Sequence, residues 1–220
     1  MTLDARALEE HAILAGRVDL LIERARAARG IAARRFALDE LARGLLLADP
    51  GTLSAEAAEA ARVLRVDAST IAAASAGRQP HAVGAPLVAG GLAFVRQVLV
   101  VYDPVALLVD ADPLEPAARR AIALAIARAA RAAPPPSDPL LHRLVAARPE
   151  ALAGTRIEGP SLGAAAYVSA LALWSGRAVR PDVVVTGAVR GDAVVSVGAI
   201  EAKVRAAAAH GARALVVPAT

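Results

Sequence analysis

From Gly159 to Pro218 the chain changes pattern repeatedly, and nearly every change is punctuated. An uncharged stretch opens with Gly159-Pro160-Ser161 and closes at Gly176. Proline is preorganised for a first helical turn and glycine favours a helix end, so this spacing predicts a helix running to about Trp174. Val183-Val184-Val185-Thr186 follows as a buried strand. Arg190-Gly191-Asp192 is a turn, and Ala193–Val197 returns. Ala199–His210 is a second helix, stopped by Gly211, and Ala214–Val217 is a last apolar strand. Helices and strands thus both contribute to this part of the chain. Side chains counted as hydrophobic make up 56% of the chain and aromatic ones only 2%. The core must therefore be built from Ala, Val, Leu and Ile, which favours closely packed helices and sheet.

Upstream, residues 1–80 carry helical spacing throughout. Leu8, Ala12, Ala15, Val18, Leu21, Ile22 and Ala25 mark a helix within 4–29. Ala37–Leu47 is a second, stopped by Asp49-Pro50-Gly51. Thr52–Leu64, with Ser54 as N-cap, is a third, and Asp67–Ser75 a short fourth. The stretch from Ser54 to Pro80 resembles a helix-turn-helix of the phage-repressor class, with Ala60, Ala61, Leu64 and Val66 about the turn. Its second helix offers Ala72, Ala73, Ala74 and Ala76 where base reading needs Arg, Gln, Asn or Lys. A plain helical hairpin or bundle is the expectation. Between 81 and 150, Gly84, Gly90 and Gly91 make a loose entry. Phe94–Tyr102 and Val105–Val109 suggest a hairpin about Asp103-Pro104. Ala117–Ala133 is a helix, Pro134–Pro139 a stiff connector, and His142–Ala146 a short strand.

Several functions are excluded or disfavoured. The net charge is +4, and residues 1–80 are neutral, with 11 Arg against 11 Asp and Glu. No like-charge run marks a nucleic-acid surface. The absence of cysteine rules out disulfides and thiol catalysis. His11, His81, His142 and His210 show no ligand spacing, and Asp103, Asp110 and Asp112 are expected to be solvated or capping, so neither metal nor cofactor is expected. The acidic start, MTLDARALEEH, lacks the apolar run of a signal peptide, and the stretch Gly159–Gly176 is expected to be a buried core helix, so the expected location is the cytoplasm.

Lys203 is the only lysine in the chain. Arginine stays protonated in proteins, whereas a desolvated lysine can be neutral and accept a proton. Ala199, Ile200, Ala202, Ala206 and Ala207 supply apolar neighbours, and Glu201, two residues away, would raise the lysine pKa unless it points to the opposite face, as neighbours two apart on a helix tend to. Ser161 sits at the predicted helix start, where free N–H groups and the helix dipole favour negative charge and suit an oxyanion. A serine hydroxyl is a poor nucleophile until a neighbouring base takes its proton, and a neutral lysine is such a base. The two residues suggest a Ser–Lys pair.

The segments GPSLG, SGRAVRPDVVVTGAV and VSVGAIEAKVRAAAAHGARALVVP resemble the proteolytic domain of the Lon family of Ser–Lys peptidases. The resemblance covers 159–218 and extends more loosely over 92–158. It implies an α+β, Lon-type peptidase domain (ribosomal protein S5 domain 2-like) over 81–220, preceded by an all-helical N-terminal segment over 1–80. It also implies Ser161 as nucleophile, Lys203 as base, Thr186 of the TG element as orienter, and Gly159 and Pro160 as supporting residues. The Lon-like C-terminal domain of the bacterial RadA family has similar PDVVV words, but lacks the serine and usually has arginine at the lysine position. The chain differs from the Lon pattern at Ala188, where the family has glutamate, and in ARPEALAGTRIEGPS, where the family has a valine-rich strand and a PEGA-type turn. With its single lysine in EAKV the chain has no Walker A loop. The reading is thus a serine endopeptidase without its own ATPase, acting on unfolded or flexible polypeptide, with an unfoldase supplied by a partner. The resemblance implies a homo-oligomer, a hexamer in the family, and neither nucleic acid nor membrane is an expected partner. The alternatives are a catalytically inactive Lon-like assembly or regulatory module, binding DNA or a partner through the N-terminal helices, and a small-molecule kinase of the S5-like class.

Overall fold

The computed structural model describes residues 17–48, 56–75, 81–89, 92–103, 114–135, 141–146, 157 and 159–218. Two compact units emerge. One comprises Met1–Gln79, Val101–Ala111 and Ala147–Ala153, the other Pro80–Val100, Asp112–Ala146 and Gly154–Thr220. The described residues form seven helices and a mixed five-stranded sheet, so the protein is α+β.

The first unit holds α1 (Val18–Ala27), α2 (Ile31–Leu47), α3 (Ala57–Leu64) and α4 (Ala68–Ser75). Val18, Leu21, Ile22 and Ala25 put one apolar stripe of α1 inside, as the spacing requires. The rest of the stretch over 4–29, and Ser54 as a cap, lie outside the described residues. Helix α2 starts six residues earlier than the apolar pattern indicates, after Gly30 at φ 83°. Its first turn has no inward face to detect: Ile31 is 91% exposed. Further along, Arg43 is buried with its Nε 2.9 Å from Asp39 and 3.7 Å from the buried Glu40. Between α3 and α4 lies a short turn entered through Arg65 in the left-handed region, at φ 60°. Ala72 on α4 is exposed. Asp103, expected to be solvated or capping, is not solvated but buried.

The second unit contains β1 (Val83–Ala89), β2 (Leu92–Tyr102 by its full extent), α5 (Pro116–Ala132), β3 (His142–Ala146), α6 (Gly163–Ser175), β4 (Val183–Val185), β5 (Ala188–Arg190), β6 (Ala193–Val195), α7 (Ile200–Ala209) and β7 (Ala214–Val216). The sheet order is β3-β2-β1-β4-β7. Strands β1 and β2 are antiparallel, with Val83 opposite Val98 and Leu87 opposite Phe94, while β4 runs parallel to both β1 and β7. A separate two-stranded ribbon pairs β5 with β6.

Strand β2 pairs antiparallel with β1 over Leu92–Val98, and Val105–Val109, the second strand of the hairpin expected about Asp103-Pro104, lies outside the described residues. Strand β1 was hidden by Gly84 and Pro86, which argue against a strand interior. Both are accommodated. Gly84 leaves room for Val184, whose Cγ1 would come within 2.6 Å of a Cβ there. Pro86 lies beyond Gly84, the residue at which β4 pairs with β1.

The core is aliphatic, as composition requires. Val83, Ala85, Leu87, Val98 and Val100 of the sheet meet Ala118, Ile122, Ala125, Ile126 and Ala129 of α5 and Ala165, Ala166, Ala170 and Leu173 of α6. Alanines at helical spacing let α5 and α6 approach closely. The buried Ser169 hydroxyl accepts from Val100 N–H at 2.7 Å and donates to the His81 carbonyl at 3.1 Å, tying α6 to the sheet. Trp174 donates through Nε1 to His142 Nε2 at 3.0 Å and stacks on it edge to face. Helix α7 packs against β1 and β7.

Candidate active site

Helix α6 begins later than its sequence suggests. Pro160 and Ser161 are not in its first turn; they form the turn that leads into it, with Leu162 as N-cap and Gly163 as the first helical residue. The cause is a competing hydrogen bond. The Ser161 carbonyl, which would accept from the fourth residue on in a helix, instead accepts from Gly187 N–H at 3.2 Å. The first bond of the helical pattern runs from Ala166 N–H to the Leu162 carbonyl at 2.9 Å. Gly159 supplies the entry at φ 76°, and the Pro160 carbonyl accepts from Gly163 N–H at 3.0 Å. Ser161 is thus held half-buried on a turn, beside the positive end of α6. Among the described residues the N–H groups of Ser161 and Leu162 donate to no acceptor.

Gly187 was not singled out from the sequence, yet it joins both sides of this turn. Besides donating to Ser161, it accepts from Ala164 N–H at 3.0 Å. It takes φ 156°, and a Cβ would meet Val194 Cγ1 at 2.7 Å, Pro218 Cγ at 3.1 Å and Ala164 Cβ at 3.3 Å. Only glycine fits where the chain leaves β4, passes α6 and starts β5. Its position directly after a strand-terminal threonine was the available signal.

Thr186 is the residue before it. Alternation along β4 turns Val185 towards the α5–α6 core and Thr186 to the other face, where α7 lies. Its backbone is pinned by donation to the Val216 carbonyl at 3.0 Å. Its hydroxyl accepts from Lys203 Nζ at 3.2 Å. Lys203 is only 4% exposed, and this burial lowers its pKa from the ordinary lysine value. Of the apolar neighbours expected on α7, Ala206 and Ala207 are buried, whereas Ile200 and Ala202 are half-buried and Ala199 is exposed. The rest of the desolvation comes from packing on the sheet. Glu201 points away, 88% exposed, and pairs with Arg205 one turn on. Helix α7 starts from Ala199 in the left-handed region at φ 58°, which sets the direction in which Lys203 enters.

The candidate residues are linked through two adjacent residues, with no direct hydrogen bond between Ser161 and Lys203. Thr186 holds the lysine and Gly187 holds the backbone of the serine. Chemically this offers a hydroxyl nucleophile, a base of reduced pKa and two undirected backbone donors. Asp110, Asp112 and His11 lie outside the described residues. Among the described residues no group of three or more His, Asp or Glu side chains is gathered as metal ligands would be, and no helix is long and apolar enough to cross a membrane. No family model matches the sequence, and no curated protein matches it.

Proposed function

We propose that the protein is a Ser–Lys endopeptidase whose second unit is of the Lon proteolytic type. The observation that carries this reading is the buried Lys203, hydrogen-bonded to Thr186 one residue before the glycine that grips Ser161. Desolvation favours the neutral amine. Neutral Nζ takes the Ser161 hydroxyl proton as Oγ attacks the peptide carbonyl carbon. The resulting oxyanion lies against the N–H groups of Ser161 and Leu162. The lysine proton passes to the leaving nitrogen, the C–N bond breaks, and an acyl ester stays on Ser161. Water then attacks the ester, giving its proton to Lys203, which returns it to the serine oxygen.

The substrate class is unfolded or flexible polypeptide, because these 220 residues, with Lys203 as their only lysine, hold no Walker A loop. A separate ATPase would supply folded substrates, and ring assembly, a hexamer by resemblance, would enclose the site. The test is casein cleavage without ATP by the wild type, Ser161→Ala and Lys203→Arg. Wild type is expected to cleave, and each variant to lose about a thousandfold or more. Equal cleavage by all three, or none by freshly folded wild type in any oligomeric state, defeats the reading; the second result would favour a silent assembly module.

A further inference from the structure

Ribbon β5–β6 follows the site immediately. Gly187 passes directly into Ala188, the first residue of β5, so the ribbon and the frame that holds Ser161 share one backbone. The ribbon is small. Each strand has three residues, and it forms its own sheet apart from the five-stranded one. A two-stranded ribbon of that size has little stability of its own. At its base Ala188 and Val189 are buried, and the backbone nitrogen of Val189 lies 3.0 Å from where a Cβ on Gly163 would be. The tip is exposed from Arg190 to Val194.

One distant side chain grips that tip. Arg128, on α5, donates from Nη1 to the Gly191 carbonyl at 2.8 Å and from Nη2 to the Asp192 carbonyl at 2.8 Å. Nη1 also meets the Asp192 carboxylate. A planar guanidinium is the group that can hold two carbonyls of one turn at once, which an ammonium cannot match. The ion pair itself is largely solvated, with Asp192 88% exposed, so its charge contributes little. Its importance is geometric: a core helix is fixed to the far end of the ribbon that begins at the site.

We infer that Arg128 is a positioning residue for the Ser161–Thr186–Lys203 frame, acting through the β5–β6 turn. The inference rests on the peptidase reading for its catalytic meaning, but its structural content is testable apart from activity. With Arg128 in place, the ribbon base is held against α6, and the paired backbone bonds Gly187 to Ser161 and Ala164 to Gly187 stay closed. Without it, the ribbon pivots, and those two bonds open more often than the core does.

The experiment is amide hydrogen exchange on the full chain, comparing wild type with Arg128→Met and Asp192→Asn, beside casein turnover. Arg128→Met is expected to speed exchange at Gly187 and Ala164 by about tenfold or more, with Val98 in β2 unchanged. Its kcat is expected to fall by about tenfold with little change in KM, as for an interaction that orients the reacting groups. Asp192→Asn keeps both carbonyl contacts and is expected to stay near wild type in both readouts. Unchanged exchange at Gly187 and Ala164, or an equal rise there and at Val98, overturns the inference. If Arg128→Met yields no folded protein, the same comparison is made in Arg128→Lys, which keeps the charge but not the fork. Faster local exchange together with casein cleavage that Ser161→Ala does not abolish supports the tether and defeats the peptidase reading, so the two failures are distinguishable.

Discussion

Lys203 carries opposing demands. Its methylenes and amine are buried on α7, and the amine has a hydroxyl partner in Thr186 rather than a carboxylate. Burial without a counter-charge disfavours the ammonium, so the folded pKa lies below the ordinary 10.5. Between the folded value and 10.5 the unfolded chain binds more protons than the folded one, so stability rises with pH across that window. Thermal unfolding of the wild type followed up to about pH 10.5 is expected to show this rise, and Lys203→Met is expected to lack it. Parallel curves for the two proteins would mean that the amine is not desolvated. Catalysis has the same sign. Activity should increase as the amine loses its proton, reaching half its maximum below pH 10.5. The rarity of lysine in the chain made this residue conspicuous from sequence, and helical spacing favoured the opposite face for Glu201. Its partner Thr186 was available only through the family resemblance, because two residues 17 positions apart are joined by folding alone.

At the scale of elements, the site is a junction. Strand β4, the turn before α6 and the start of β5 converge on Gly187, where a side chain would crowd Val194, Pro218 and Ala164. Gly187→Ala is expected to cost about 1–3 kcal/mol and to open the turn that carries Ser161. Urea unfolding measures the first effect and casein turnover the second; a variant as stable as wild type would show that the junction can relax. Elements with one dominant local signal were legible from sequence. Helix α5 with its Pro116 start, α6 with its Gly176 end at φ 67°, and the Gly191-Asp192 turn lie where their residues put them. Those decided by partners were not. Strand β1 is made a strand by β2 and β4 despite Gly84 and Pro86, and the start of α6 is delayed because Gly187 takes the Ser161 carbonyl. Neither competitor is visible in local periodicity.

For the molecule as a whole, a core of small aliphatic side chains places unusual weight on its few large ones. Trp174 is the single tryptophan, 4% exposed, and belongs to the second unit. Its fluorescence therefore reports that unit alone, with native emission to the blue of the unfolded chain. Leu173, its neighbour in sequence and 2% exposed, belongs to the buried cluster of that unit. Leu173→Ala is expected to lower the stability read by that fluorescence by about 2–5 kcal/mol, since such a site collapses poorly onto a void. A change below about 1 kcal/mol would show a core more plastic than its packing indicates.

The lone lysine also has a practical meaning. Amine-directed reagents usually scatter over a protein surface, where lysines are plentiful. Here, apart from a chain terminus, every such reagent has a single address, and that address is shielded behind Thr186 and the sheet. A tracer that acylates amines becomes a gauge of how often the interior around Lys203 opens to solvent, and at which pH the amine it finds there is bare.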